Sequence, residues 1–152
     1  MSAKRNTTTA GASEGWTDEE RAAMKEHAAE LKRAAGKGAA KAAEEAQACL
    51  DKIAEMAESD RVIAERVHAI VTGAAPQLAV KTWYGMPAYA QDGKVVCFFK
   101  PAEKFKVRYA TLGFNDAAAL DDGNMWPTEF AVTKLTAVEE KRIAALVTQA
   151  TS

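Results

Sequence analysis

The sequence predicts an α+β fold, in which an antiparallel β-meander packs against N-terminal and C-terminal helices. Three observations lead to this prediction. Apolar residues recur at helical spacing before residue 75, and short β-type runs separated by turn signals fill residues 80–133. A capping-box sequence at Thr136 and Glu139 then begins a last amphipathic segment. Helices and strands that are grouped separately along a chain are typical of helices packed on one sheet.

The N-terminal helices are predicted from caps and apolar stripes. Thr17 and Glu20 have the spacing of a capping box. A thin apolar stripe follows and ends before two glycines; it consists of Met24, Ala28, Leu31 and Ala35. A second helix, weak at its Ala-rich start, is expected to use Cys49, Leu50, Ile53 and Met56 as its apolar face. Ser59 can cap a third helix, whose stronger stripe is Ile63, Val67, Ile70 and Val71.

The strands are predicted from β-type runs and turn dipeptides. Residues 80–84 form the first run, and the segment Gly85-Met86-Pro87 interrupts it. Asp92–Gly93 is a hairpin signal, and residues 95–100 and 105–111 are predicted as a strand pair. A brief helix over residues 115–120 and a short strand over residues 130–133 precede the last helix.

Composition divides the 152 residues into three parts. Residues 1–15 are small and polar and predict a disordered lead-in, residues 16–45 predict a helical extension, and residues 46–152 predict one α+β domain. A net charge of −1 provides no general attraction to nucleic acid or to an anionic membrane, so we expect neither as a partner.

Localisation is predicted from signals that the sequence lacks. No hydrophobic stretch follows the basic N-terminus, and no apolar run approaches the roughly 20 residues of a membrane helix. The two cysteines, Cys49 and Cys97, are far apart and lack metal-binding spacing. We therefore expect a cytoplasmic protein with two reduced, buried thiols.

Aromatic side chains are concentrated between residues 83 and 130, and only Trp16 lies outside this segment. Aromatic residues line most small-molecule pockets, so we predict a ligand-binding site here. The indole and phenol groups of Trp83 and Tyr84 suit a polar-lined cleft, whereas a packed bend in the core is the alternative for Met86. The predicted ligand-binding residues are Trp83, Tyr84, Met86, Pro87, Tyr89, Phe99, Lys104, Arg108 and Trp126.

Two charged groups lie close to the aromatic segment. Strand alternation places Lys104, Lys106 and Arg108 on one sheet face, where they can receive a carboxylate or phosphate; a solvated outer face is the alternative. The second group is Asp121, Asp122 and Glu129. Carboxylate oxygens suit hard cations such as ferric iron or magnesium, although Asp-Asp-Gly is equally an ordinary turn sequence.

The segment from Trp83 to Tyr89, WYGMPAY, is the most specific part of a wider resemblance. The other carriers of the resemblance are Ala75-Pro76, the Asp-Gly hairpin and the later Lys104-Phe105, Arg108-Tyr109 and Leu112-Gly113-Phe114 segments. Over about residues 46–150, the chain resembles the bacterial YdhG-like domain family. The resemblance implies an α+β fold with a small cleft beside Gly-Met-Pro. Some members are described as frataxin-like iron chaperones, which implies iron as a cofactor, with the Asp121, Asp122 and Glu129 carboxylates as its ligands.

We expect a binding protein rather than an enzyme, because the sequence contains neither a GxSxG motif nor a glycine-rich phosphate loop. The resemblance implies an iron carrier. The aromatic and basic residues instead favour a small anionic ligand. A third hypothesis is a protein-interaction module or homodimer formed through the N-terminal helices, because the Met24–Leu31 stripe is suited to docking on another chain.

Overall fold

A computed structural model describes residues 15–34 and 38–152, and within them the predicted α+β class is confirmed. Three helices precede five strands, and one helix follows them. The elements are α1 (Asp18–Ala34), α2 (Gly38–Ala54), α3 (Glu58–Ala74), β1 (Ala79–Trp83), β2 (Met86–Gln91), β3 (Lys94–Lys100), β4 (Ala110–Phe114), β5 (Glu129–Val132) and α4 (Ala137–Ala150). None of the helices in the described ranges is long and apolar enough to cross a membrane.

The strands form an antiparallel meander in chain order, and its first two connections are two-residue turns. Tyr84–Gly85 joins β1 to β2 with Trp83 opposite Met86, and Asp92–Gly93 joins β2 to β3. The φ angles are positive at both central residues of each turn: 54° and 77° at the first, and 53° and 79° at the second. This conformation matches the twist of hairpin strands and favours glycine at the second position.

The sheet separates two apolar clusters. The larger one joins α2, α3 and α4 to the sheet, and its fully buried members include Val67, Val71, Tyr89, Phe99 and Val147. The smaller cluster lies on the other face and contains Met86, Ala88 and Phe98, with Trp83, Tyr84, Val95 and Phe105 packed against it. Residues adjacent along a strand therefore belong to different clusters, as strand alternation requires.

Both predicted capping boxes are present, at Thr17 with Glu20 and at Thr136 with Glu139. The predicted cap at Ser59 is wrong, because α3 begins at Glu58 after an N-cap without a side-chain hydrogen bond. The predicted helix over residues 115–120 is also wrong, since only turns are found there. Apart from residue 15, the predicted lead-in lies outside the described residues, as does the predicted end of the first helix at Gly36.

The predicted strand over residues 105–111 is largely wrong, because residues 101–109 form turns and β4 begins only at Ala110. Asp60 of α3 provides the physical reason. Its buried carboxylate accepts hydrogen bonds from the backbone N–H groups of Ala102 at 3.1 Å and Glu103 at 2.9 Å. These amides are thus satisfied by a side chain rather than by a strand ladder.

Candidate functional site

The turn between β1 and β2 presents two backbone amides to a carboxylate of α1. The N–H groups of Tyr84 and Gly85 donate to the two different oxygens of Glu30, at 2.8 and 2.9 Å. Glu30 is only 6% exposed, so its carboxylate is largely withdrawn from water. A buried carboxylate needs such donors, and hydrogen bonds to an ionised acceptor are stronger than neutral ones.

Two lysines converge on a second carboxylate of α1, one helical turn before Glu30. The Lys104 ammonium lies 2.9 and 3.2 Å from the oxygens of Glu26, and the Lys52 ammonium lies 3.4 Å from one of them. Lys104 also donates to the carbonyl oxygen of Gly85 at 3.4 Å. We name the two turn amides together with Lys52 and Lys104 the turn site.

Gly85 permits this close approach of charged groups to the backbone. A Cβ atom at this position would lie 1.5 Å from a Glu26 oxygen and 2.5 Å from the Lys104 nitrogen. The positive φ of Gly85 would also strain any residue with a side chain. The turn site therefore depends on glycine at the second position of the turn.

Further contacts extend the polar attachment of α1 along its length. Near its N-terminus, Glu19 lies 2.6 Å from the Lys106 ammonium, which lowers the pKa of Glu19 and is matched by a raised pKa of Lys106. Near its C-terminus, Arg33 donates to the Thr82 hydroxyl at 3.0 Å. The His27 ring stacks on Tyr84 with the ring centroids 4.0 Å apart.

The acidic face of α1 contacts the turn between β1 and β2, the segment of residues 101–109, and α2. At 3.6 residues per turn, Glu19, Glu26 and Glu30 lie within roughly 40° of one another around the helix axis. The described members of the predicted apolar stripe point elsewhere and are not buried: Met24 is 45% exposed and Leu31 is 61% exposed, whereas Ala35 lies outside the described residues. The polar face of this helix is therefore the docked one, contrary to the usual arrangement of a surface helix.

An open groove of about 410 Å³ adjoins the turn site. Its walls include Glu26, Lys52, Lys104 and Gly85, and the buried Asp60 also lines it with both oxygens engaged by loop amides. Met56 and Pro101 supply apolar surface in the same groove. The groove thus connects the lysines of the turn site to solvent, where a small molecule has room to enter.

Five of the nine predicted ligand-binding residues lie at or beneath the turn site. Lys104 and Tyr84 contribute directly, and the Trp83 ring packs against Tyr84 and Phe98 at centroid distances of 5.1 and 5.2 Å. Met86 and Pro87 are buried at the start of β2. Within the segment that resembles the YdhG-like family, α1 contacts the turn formed by Tyr84 and Gly85.

The structure does not bring Tyr89 and Phe99 to the turn site, because both side chains are fully buried in the larger cluster on the other sheet face. The Tyr89 hydroxyl lies 2.8 Å from Nδ1 of His68 on α3. Burial lowers the pKa of His68 and raises the pKa of Tyr89 well above its usual range. These residues form an internal polar pair rather than part of a cleft.

Arg108 and Trp126 also lie away from the turn site. Arg108 is exposed, with its guanidinium carbon 5.1 Å from the centre of the Tyr109 ring. Trp126 packs against the larger cluster in the β4–β5 connection, whereas Trp83 belongs to the smaller cluster. The structure therefore does not bring the two tryptophans into one cleft.

Asp121 and Glu129 line a separate groove of about 430 Å³ together with Trp126. Asp122 is exposed and is not among the residues that line this groove. In the part of the chain that the structure describes, no three or more His, Cys, Asp or Glu side chains form a group that can hold a metal ion. Binding of iron by Asp121, Asp122 and Glu129 stays a prediction that the structure does not support.

Sequence reasoning missed Glu26, Glu30 and Lys52. A signal for the first two was present, because glutamates at positions i, i+7 and i+11 share one face of a helix. The apolar stripe, by contrast, predicts a different docked face for this helix. No protein-family model, curated protein or solved structure matches the chain, so the resemblance to the YdhG-like family stays a prediction.

Proposed function

We propose that the protein is a binding domain for an anionic ligand, which it holds at the turn site. One observation carries the proposal: the buried Glu30 carboxylate accepts both turn amides while two ammonium groups converge on the neighbouring Glu26 carboxylate. These two carboxylates stand in for the anionic groups of a ligand. The iron-carrier hypothesis stays a prediction without a comparable constellation among the described residues.

The arrangement of donors indicates which ligand chemistry the site favours. The amide pair faces one carboxylate, and Lys52 with Lys104 faces another on the other side of Gly85. A molecule with two anionic groups can replace both. The Tyr84 ring, now stacked on His27, would then be free to cover the connecting atoms. Di- and tricarboxylates are therefore the favoured class, with phosphate as a simpler anion for the amide pair.

A ligand at the turn site must displace two glutamates that already belong to the chain. The E26Q/E30Q variant removes both competing charges and keeps the side-chain shapes. We expect citrate to bind this full-length variant at least tenfold more tightly than it binds the wild-type protein, measured by isothermal titration calorimetry at low ionic strength. Succinate and inorganic phosphate, titrated in parallel, rank the anion class.

The control experiments separate the turn site from general charge effects. Lys104→Gln, in the wild type or added to E26Q/E30Q, is expected to abolish the heat of citrate binding. Lys94→Gln removes the same charge at the exposed start of β3 and is expected to leave binding unchanged. Binding that is equally sensitive to both lysines, or no citrate binding to either the wild type or E26Q/E30Q, would refute the proposed function.

A further inference from the structure

We infer that the surface beneath α1 is a docking surface for an acidic helix of another protein, and that α1 is a built-in competitor for this partner. The docking surface is defined as the turn site plus Lys106. The inference rests on the proposed function and extends its anionic ligand to a macromolecule: a helix with glutamates at positions i, i+7 and i+11. α1 itself, seated on this surface, shows that such a helix fits.

The spacing of the contacts favours a helix over a small anion as the full ligand. Glu19 contacts Lys106, Glu26 contacts both lysines of the turn site, and Glu30 contacts the amides. Eleven residues of helix span about 16 Å, so these contacts extend well beyond the reach of a citrate molecule. Only an elongated ligand can occupy all of them together.

The chemistry of the contacts makes the seated helix replaceable. Among the α1 residues whose burial the structure describes, Ala23 is the one buried apolar residue, while Met24 and Leu31 are exposed. The side chains of Glu26, Lys52 and Lys104 are between 26% and 29% exposed. Ion pairs that keep this much contact with solvent weaken as salt increases. A partner helix that repeats the same charges can therefore compete with α1.

The experiment adds the chain's own helix as a separate molecule. A fluorescently labelled peptide of residues 15–34 is titrated with the full-length protein, and fluorescence anisotropy reports binding. Tethering gives α1 a high effective concentration, so we expect the peptide to bind the full-length E26Q/E30Q protein at least tenfold more tightly than the wild type. Lys104→Gln in the E26Q/E30Q protein is expected to abolish this binding.

Two peptide variants identify the face that binds. A peptide with E26Q and E30Q is expected to bind at least tenfold more weakly than the unmodified peptide. A peptide with M24S and L31S, which changes only the exposed stripe, is expected to bind as well as the unmodified one. Equal affinity of the first variant, or loss of binding by the second, would overturn the inference, because the acidic face would then not be the docked face.

Further outcomes separate this inference from the proposed function. If citrate binds at the turn site but the peptide does not, the helix partner is refuted and the proposed function stands. If neither binds, both are refuted. A wild-type dimer in sedimentation experiments that is lost on Lys104→Gln would overturn the assignment to another protein and identify a second copy of this chain as the partner.

Discussion

Glu30→Gln tests how α1 is attached to the rest of the molecule. In the wild type, the two oxygens of Glu30 accept from the amides of Tyr84 and Gly85, with the side chain 6% exposed. A glutamine keeps one acceptor but turns an NH₂ group toward the second amide. One hydrogen bond to a charged group contributes roughly 1.5–3 kcal/mol, and the retained bond becomes a weaker neutral one. We expect α1 docking to lose about 2 kcal/mol.

The loss is expected to remain local to α1. Its apolar stripe is exposed, so the larger cluster does not depend on its presence. An undocked helix of this length is only marginally stable in water, so its backbone amides become open to exchange. Since each 1.4 kcal/mol is a factor of ten, the protection of the α1 amides is expected to fall by about 30-fold, while that of the β3 amides stays unchanged.

Hydrogen exchange measured by mass spectrometry on the native protein provides the assay. Glu44→Gln is the matched control, because Glu44 is an exposed residue of α2 and the change in charge is the same. Unchanged protection of α1 in Glu30→Gln would show that the amide contacts do not hold the helix. An equal loss of protection in β3 would show instead that α1 and the core unfold as one unit.

Three further predictions follow from glycine geometry and from buried titratable groups. Gly85 and Gly93 have φ angles of 77° and 79°, so alanine at either position costs a backbone strain of about 1–2 kcal/mol. Only the Cβ at position 85 would meet Glu26, so only Gly85→Ala is expected to increase hydrogen exchange of the α1 amides. Burial lowers the pKa of His68, so as pH falls the imidazole is protonated in the unfolded state before it is protonated in the folded state. The stability that neutral His68 contributes is present above about pH 6.5 and is lost as pH falls further. The midpoint of urea unfolding is therefore expected to depend less on pH in this range in His68→Asn than in the wild type. Burial raises the pKa of Cys49 and Cys97 to about 12, so native protein should resist iodoacetamide at about pH 8, and both thiols should react once guanidinium chloride unfolds it.

Local signals were reliable where neighbouring residues supply all the partners. Thr17 and Glu20 form their capping box within one helical turn, and Asp92–Gly93 forms the predicted hairpin. Tyr84–Gly85 adopts the same turn conformation, but the Met-Pro pair after it indicated an interrupted strand. In the structure this pair begins β2, with Pro87 opposite Thr82 on β1.

The structure places Lys104 at the turn site, but through contacts other than those that strand alternation predicts. Strand alternation predicts that Lys104 aligns with Lys106 and Arg108. In the structure, residues 101–109 form turns that are hydrogen-bonded to Asp60. Lys104 instead contacts Glu26 of α1, and Arg108 lies apart on Tyr109. Composition identified a chemically suitable residue, whereas the loop determined its partner.

The sequence alone determined the α+β class, the succession of N-terminal helices, sheet and C-terminal helix, and the two capping boxes, because these depend on periodicity and on contacts within a few residues. Only the tertiary structure decided which face of α1 is docked. The contacts that decide it join Glu30 to the turn amides across 54 and 55 residues and Glu26 to Lys104 across 78 residues. The apolar pattern of the α1 sequence carries no information about hydrogen-bond donors so distant along the chain. On this helix, those donors determine the docked face.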